Sequence, residues 1–109
     1  MEIGTFTPDN LLAGDFPRVT AWLEIPTGVL KRGTVVTDAG EAMATGDDPY
    51  GVLAADADAS DNAVRAPVFL TGEFSANHLI LDGNDPLSDT DRANLRKLSI
   101  FAKDTVPAA

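Results

Sequence analysis

Few residues in this 109-residue chain have side chains suited to chemistry. It carries one histidine, His78, and no cysteine, which excludes a thiolate nucleophile, a thiolate metal site and a disulfide framework. The missing thiols leave the redox compartment open. Asp82 and Asp85 follow His78 closely, the kind of carboxylate partner an imidazole general base would use. A lone imidazole in a loop is more often an incidental surface or packing residue. No serine is paired with it by spacing, and Phe74-Ser75-Ala76 lacks the glycines of a nucleophile elbow. Asp56-Ala57-Asp58-Ala59-Ser60-Asp61 begins like a calcium loop, but Asp61 stands where the sharp-turn glycine belongs and Pro67 where the bidentate glutamate belongs. The glycines are spread singly through turns, so no phosphate cradle is formed. The residues therefore predict no catalytic group, no metal and no cofactor, and the chain is expected not to be an enzyme.

Length and charge narrow the partners. A chain of 109 residues is one domain, and it buries very roughly two thirds of its unfolded surface, so a partner that covers more apolar area would stabilise it appreciably. Its 44% hydrophobic and 23% charged residues are globular proportions. No apolar run approaches the roughly 20 residues of a membrane helix, and the N-terminus lacks the basic-then-apolar order of a signal peptide, so a soluble, unprocessed chain is expected. Eight basic residues against seventeen acidic ones give a net charge of −9, the wrong sign for binding a phosphate backbone. Neither nucleic acid nor membrane is an expected partner. Residues 33–64 hold seven acids (Asp38, Glu41, Asp47, Asp48, Asp56, Asp58, Asp61) and no Lys or Arg, which reads as a solvated acidic face.

The elements that must position these groups are mostly strands. Val19, Ala21, Leu23 and Ile25 alternate with Thr20, Trp22 and Glu24, the period of a strand with one buried face. Lys31-Arg32-Gly33 separates two β-branched runs as a hairpin or a sharp bend in a ribbon. A turn at Asp47-Asp48-Pro49 leads into a strand over 50–54, and residues 57–62 read as a surface loop. Residues 64–74 are the most strand-like, with Pro67 arguing for an edge position or a bulge and Gly72 for a bend. One helix is predicted over about residues 88–98, opened by the Ser88-x-x-Asp91 form of the capping box and closed by Arg96-Lys97. Leu95 and Leu98 share one face of it. A short strand over 99–102 and a polar tail follow.

Residues 1–17 differ from all of this. They contain apolar residues (Ile3, Phe6, Leu11, Leu12, Phe16) with neither strand nor helix period, interrupted by two glycines and two prolines. Such an arm either packs on its own domain or waits for a partner, whose sheet edge it can extend as an added strand. Trp22, on the outward face of its strand, is either covered by the arm or exposed for contact.

The chain resembles the lambda-type bacteriophage head decoration proteins. The segments that carry the resemblance are Leu11-Leu12-Ala13-Gly14-Asp15 with Val19-Thr20, Gly28-Val29-Leu30-Lys31-Arg32-Gly33-Thr34-Val35, Asp48-Pro49-Tyr50-Gly51-Val52-Leu53 with Asp56-Ala57-Asp58-Ala59, Leu70-Thr71-Gly72-Glu73-Phe74-Ser75-Ala76-Asn77, and Leu95-Arg96-Lys97-Leu98-Ser99-Ile100-Phe101. They recur in order over nearly the whole chain. The resemblance implies a mainly β fold of the β-clip type, a bent two-stranded ribbon curled into an incomplete barrel, with one short α-helix near the C-terminus. It implies homotrimers on the outer surface of an expanded tailed-phage capsid, at three-fold and quasi-three-fold positions, clamping the major capsid protein against the pressure of packaged DNA. On it, residues 1–17 are the extended capsid-binding arm and residues 18–109 the decoration domain, with Gly28, Gly33, Gly51 and Gly72 as turn glycines. Location in the virion follows, after synthesis in the bacterial cytoplasm. The alternative reading is a non-catalytic β-clip binding module of another assembly, since one fold hosts many functions.

Overall fold

The computed structural model describes residues 17–84 and 87–103. Eight strands and one α-helix make up most of this span: β1 (Thr20–Ile25), β2 (Gly28–Leu30), β3 (Val35–Val36), β4 (Gly51–Leu53), β5 (Ala57–Ala59), β6 (Val64–Phe69), β7 (Gly72–Ser75), α1 (Asp89–Lys97) and β8 (Ile100–Lys103). Short 3₁₀ turns at Ala76–His78 and Asp82–Asn84 link β7 to the helix region.

The first six strands form one long antiparallel ribbon that is bent twice. β1 pairs with β6, β2 with β5 and β3 with β4. Between the partners Ile25↔Val64 and Gly28↔Ala59, two residues on one side (26–27) oppose four on the other (60–63). That excess makes the first bend. Between Leu30↔Ala57 and Val35↔Val52 both sides advance five residues, so the register survives the second bend. There the ladder gives way to side-chain bonds: the Arg32 amide donates to Asp56 Oδ1 at 2.7 Å, and its Nε donates to the Ala54 carbonyl at 3.1 Å. Gly33, with φ of 95°, supplies the left-handed turn. The Lys31-Arg32-Gly33 segment is thus a bend within a ribbon; β2 and β3 do not pair with each other.

The ribbon then curls on itself. β6 pairs with β4 as well as β1, giving the sheet order β1-β6-β4-β3, which does not close into a barrel. The fold is mainly β with one helix near the C-terminus, as the sequence predicts. Alternation along the sheet sends neighbouring residues into two cores. Val36, Leu53 and Val68 join Ile25, Ala57, Ala59 and Ala66 inside the curl, while Val35 and Val52 face Met43, Phe74, Leu81, Leu95 and Ile100 on the other side. β7, β8 and α1 cover that second face, β7 and β8 pairing in parallel.

Three expectations are corrected. Residues 57–59 are a strand rather than loop: Ala57 and Ala59 are buried and Asp58 between them is exposed, a strand alternation that small residues disguise. Pro67 lies in an interior strand, with β1 on one side and β4 on the other. It is tolerated because Pro67 turns its backbone away from its β1 partner Trp22, and its carbonyl accepts from the Ala54 amide (2.9 Å) just beyond the end of β4. Leu98 does not share the buried face of Leu95, since the helix stops at Lys97, Leu98 caps it, and Ser99 turns the chain with φ of 64°. Leu95 is buried and Leu98 is 38% exposed.

Gly40 closes the rim of the curl. Its φ is 79°, and a Cβ there would run into the Glu24 carbonyl and sit 2.9 Å from Pro26 Cδ. Gly40→Ala is therefore expected to cost about 2 kcal/mol, read as a lowered midpoint in urea at unchanged slope.

Candidate functional site

The arm residues named from the sequence, Ile3, Phe6, Leu11, Leu12 and Phe16, lie outside the described residues. The point where the arm leaves the domain is described. Thr71, in the turn between β6 and β7, donates its hydroxyl to the Pro17 carbonyl at 2.8 Å and accepts the Val19 amide at 3.0 Å. The Leu70 amide donates to the Val19 carbonyl. These bonds fix the root of the arm beside β1, at the edge of the four-stranded sheet.

β1 is open where it leaves Pro17. Val19 bonds toward β6, so the alternate residues Thr20, Trp22 and Glu24 turn their backbone groups outward. The turn containing Gly40 lies against the Glu24 carbonyl, but among the described residues no strand pairs with the edge at Thr20 and Trp22. Trp22 shares a sheet face with Phe69 and Val52 yet lies beyond the cover that α1, β7 and β8 give them, and it is 63% exposed. The Arg65 guanidinium sits over its ring at 5.8 Å, and Val19, which alternates to the opposite face, is 52% exposed. An indole left this open represents up to about 3 kcal/mol of burial that a contacting chain would recover.

The chemically capable groups are dispersed. His78 is exposed, with Nδ1 3.1 Å from Ser75 Oγ, so the structure pairs it with a serine the spacing had not offered. Ser75 is itself buried, and a hydroxyl in that position has no open approach for a substrate. In the calcium-like loop, Asp58 accepts from the Ser60 amide and hydroxyl, which lowers its pKa, while Asp56 accepts from Arg32. The two carboxylates thus serve separate partners, and among the described residues no three His, Asp or Glu side chains gather to hold a metal. An open groove of about 250 Å³ is lined mainly by Val29, Leu30, Ile80 and Leu81, with Lys31 and Asp82 as its charged members. It contains neither His78 nor Ser75.

The one buried carboxylate among the described residues was not foreseen. Asp91 is the N3 residue of the capping box with Ser88, as the sequence predicts, but it also accepts the Thr45 hydroxyl at 2.6 Å and the Gly46 amide at 2.9 Å. Burial pushes its pKa up, and the bonds from Gly46, Thr45 and Ser88 outweigh this and hold it below the ordinary carboxylate value. Asp91 thereby ties the loop before β4 to α1. The seven acids of residues 33–64 are by contrast all exposed, as a solvated face requires.

No protein-family model matches the chain, and no curated protein matches it in sequence. Among the described residues, no helix is long and apolar enough to cross a membrane. Sequence reasoning missed Thr71 and Arg65 as parts of this surface. Their roles depend on the register of β1 on β6, for which a single hydrophilic residue in a strand or turn gives no local signal.

Proposed function

We propose that this chain is a structural head decoration protein of the lambda type. It binds the outside of an expanded tailed-phage capsid as homotrimers, at three-fold and quasi-three-fold positions, and holds neighbouring major capsid subunits together. The observation that carries this reading is the twice-bent two-stranded ribbon curled into an unclosed barrel beside one short helix, the shape the resemblance implies. An arm rooted at the edge of that body suits the task, because an extended apolar segment gains main-chain bonds and side-chain pockets by adding itself to a neighbour's sheet. The exposed acids of residues 33–64 fit the side turned away from the shell.

No bond chemistry is needed for such a role. A protein that binds the assembled lattice and not the separated subunits stabilises the lattice by mass action, and three linked arms multiply a modest single-arm affinity. The quantity to measure is copy number. Purified virions of the phage encoding this chain should contain it in numbers approaching those of the major capsid subunit. A few copies per particle, or none, would refute the reading.

A further inference from the structure

We propose that copies of this chain meet head to tail, the outward face of β1 and β6 around Trp22 and Arg65 docking on the outward face of β2 and β5 around Val29 and Asp58 of the next copy. The inference rests on the homotrimer proposed above and names the surfaces that join its copies.

Each surface is a sheet face with one large exposed apolar side chain and one charge beside it. Trp22 lies opposite Pro67 in the register, is 63% exposed and carries the Arg65 guanidinium over its ring. Among the described residues Arg65 makes no ion pair. Val29 lies directly opposite Asp58 and is 62% exposed. Asp58 receives both Ser60 bonds on Oδ1, which leaves Oδ2 for another donor. Leu30, Ala57 and Ala59 turn into the curl, as Ala21 and Leu23 do on β1, so the alternate residues Val29, Asp58 and Trp22 stand outside it. The first bend of the ribbon lies between the two faces. Two faces on the outside of the curl do not close on each other within one chain.

Charge selects a second copy as the occupant. The exposed charges around Trp22 are Arg18, Arg65 and Glu24, whereas around Val29 the acids Asp56, Asp58 and Asp61 outnumber the exposed Lys31. A contact of like faces would set Arg65 against Arg65 or Asp58 against Asp58, so unlike faces pair. Such a contact repeats from copy to copy until a ring closes, as a three-fold assembly requires. Burial of Trp22 and Val29 supplies the attraction, and the charges fix which face meets which. A contact through so few side chains is weak between free chains, and a shell that holds copies side by side strengthens it by raising their effective concentration.

Arg65→Lys keeps the charge and adds an amine that a carbodiimide condenses with a carboxylate, releasing water. The full chain with this substitution is treated in free solution over a range of concentrations, as an equal mixture of isotopically labelled and unlabelled protein. Links from position 65 to Asp58 should join labelled to unlabelled chains, rise with concentration and fall at high salt. Without the substitution, emission from Trp22, the only tryptophan, should move to the blue as concentration rises. Arg65→Glu should weaken that association roughly tenfold or more, and adding Asp58→Lys to it should restore it. The rescue is the decisive readout, because Asp58→Lys alone also breaks the Ser60 bonds. Absent links, links confined to single chains, or a double variant no better than Arg65→Glu would overturn the proposal. Trp22 emission that ignores concentration and shifts only when shells are added would also overturn it, since a capsid subunit would then be the occupant. The association is read without shells, so its failure is distinct from a low copy number in virions.

Discussion

Asp91→Ala is expected to cost about 3 kcal/mol of unfolding free energy, and with it about 12 to 15 °C of midpoint temperature in a domain of this size. The reason is what the substitution takes away. Asp91 is fully buried and accepts from the Ser88 amide, the Thr45 hydroxyl and the Gly46 amide. Alanine removes at once the shared acceptor of all three donors and the buried side chain between them, and bonds to a charged acceptor are worth more than neutral ones. Asp91→Asn should cost less than alanine but not nothing, because one of its two terminal groups becomes a donor facing donors. Urea denaturation at neutral pH measures both.

The same residue sets an acid limit. Its folded pKa lies below the ordinary value of 3.8, so its contribution is complete above that value and is lost as pH falls through the folded pKa. Asp58 is shifted in the same direction by its bonds to Ser60 and acts alongside it. The stability gap between the wild type and Asp91→Asn isolates Asp91. It should be constant above about pH 5 and narrow below pH 4 or so. A gap that stays constant through the acid range would show that the carboxylate charge does not hold the loop to the helix.

What the sequence discloses about this molecule is what is local. The alternation of Ala21, Leu23 and Ile25 against Trp22 and Glu24 is visible in six residues, and β1 follows it, with burial deepening toward Ile25. The capping box of Ser88 and Asp91 spans four residues and is reproduced bond for bond. Contacts of long range are a different matter. Asp91 meets Thr45 and Gly46 across a separation of about half the chain, and nothing in either segment marks the other. Pro67 looks like an edge residue because a missing amide usually costs a ladder bond. Here the carbonyl that such an amide would reach, Ala54, accepts from Arg32 Nε instead, so the lost ladder bond leaves no acceptor unpaired. β5 is hidden because alanine and aspartate have weak strand preference, and only the pairing of Gly28, Val29 and Leu30 with Ala59, Asp58 and Ala57 shows it as a strand. For the site, Trp22 is legible from its place on the outward face. The Thr71 anchor and the Arg65 lid over the indole require the register of β1 on β6.

On the proposed decoration role, removing residues 1–16 is expected to leave the body folded and to abolish attachment to the shell. Among the described residues both apolar cores are assembled from residues 21–102, and Pro17 with its bond to Thr71 is retained. The truncated chain should therefore keep a cooperative unfolding transition. Binding is another matter, because ordering an extended segment costs about 1 to 2 kcal/mol per residue in backbone entropy, and only the strand bonds and apolar contacts it makes on a neighbour offset that cost. A body deprived of the arm has its exposed Trp22 surface but no extended segment to add to another sheet. In the proposed trimer avidity multiplies what each arm contributes, and with no arm there is nothing to multiply.

The most direct measurement is co-sedimentation of full-length and truncated chains, mixed in equal amounts, with expanded empty heads lacking this protein. The full-length chain should pellet with the heads to saturation near one copy per capsid subunit while the truncated chain stays in the supernatant. Equal pelleting of the two chains would contradict the claim that residues 1–16 carry the attachment.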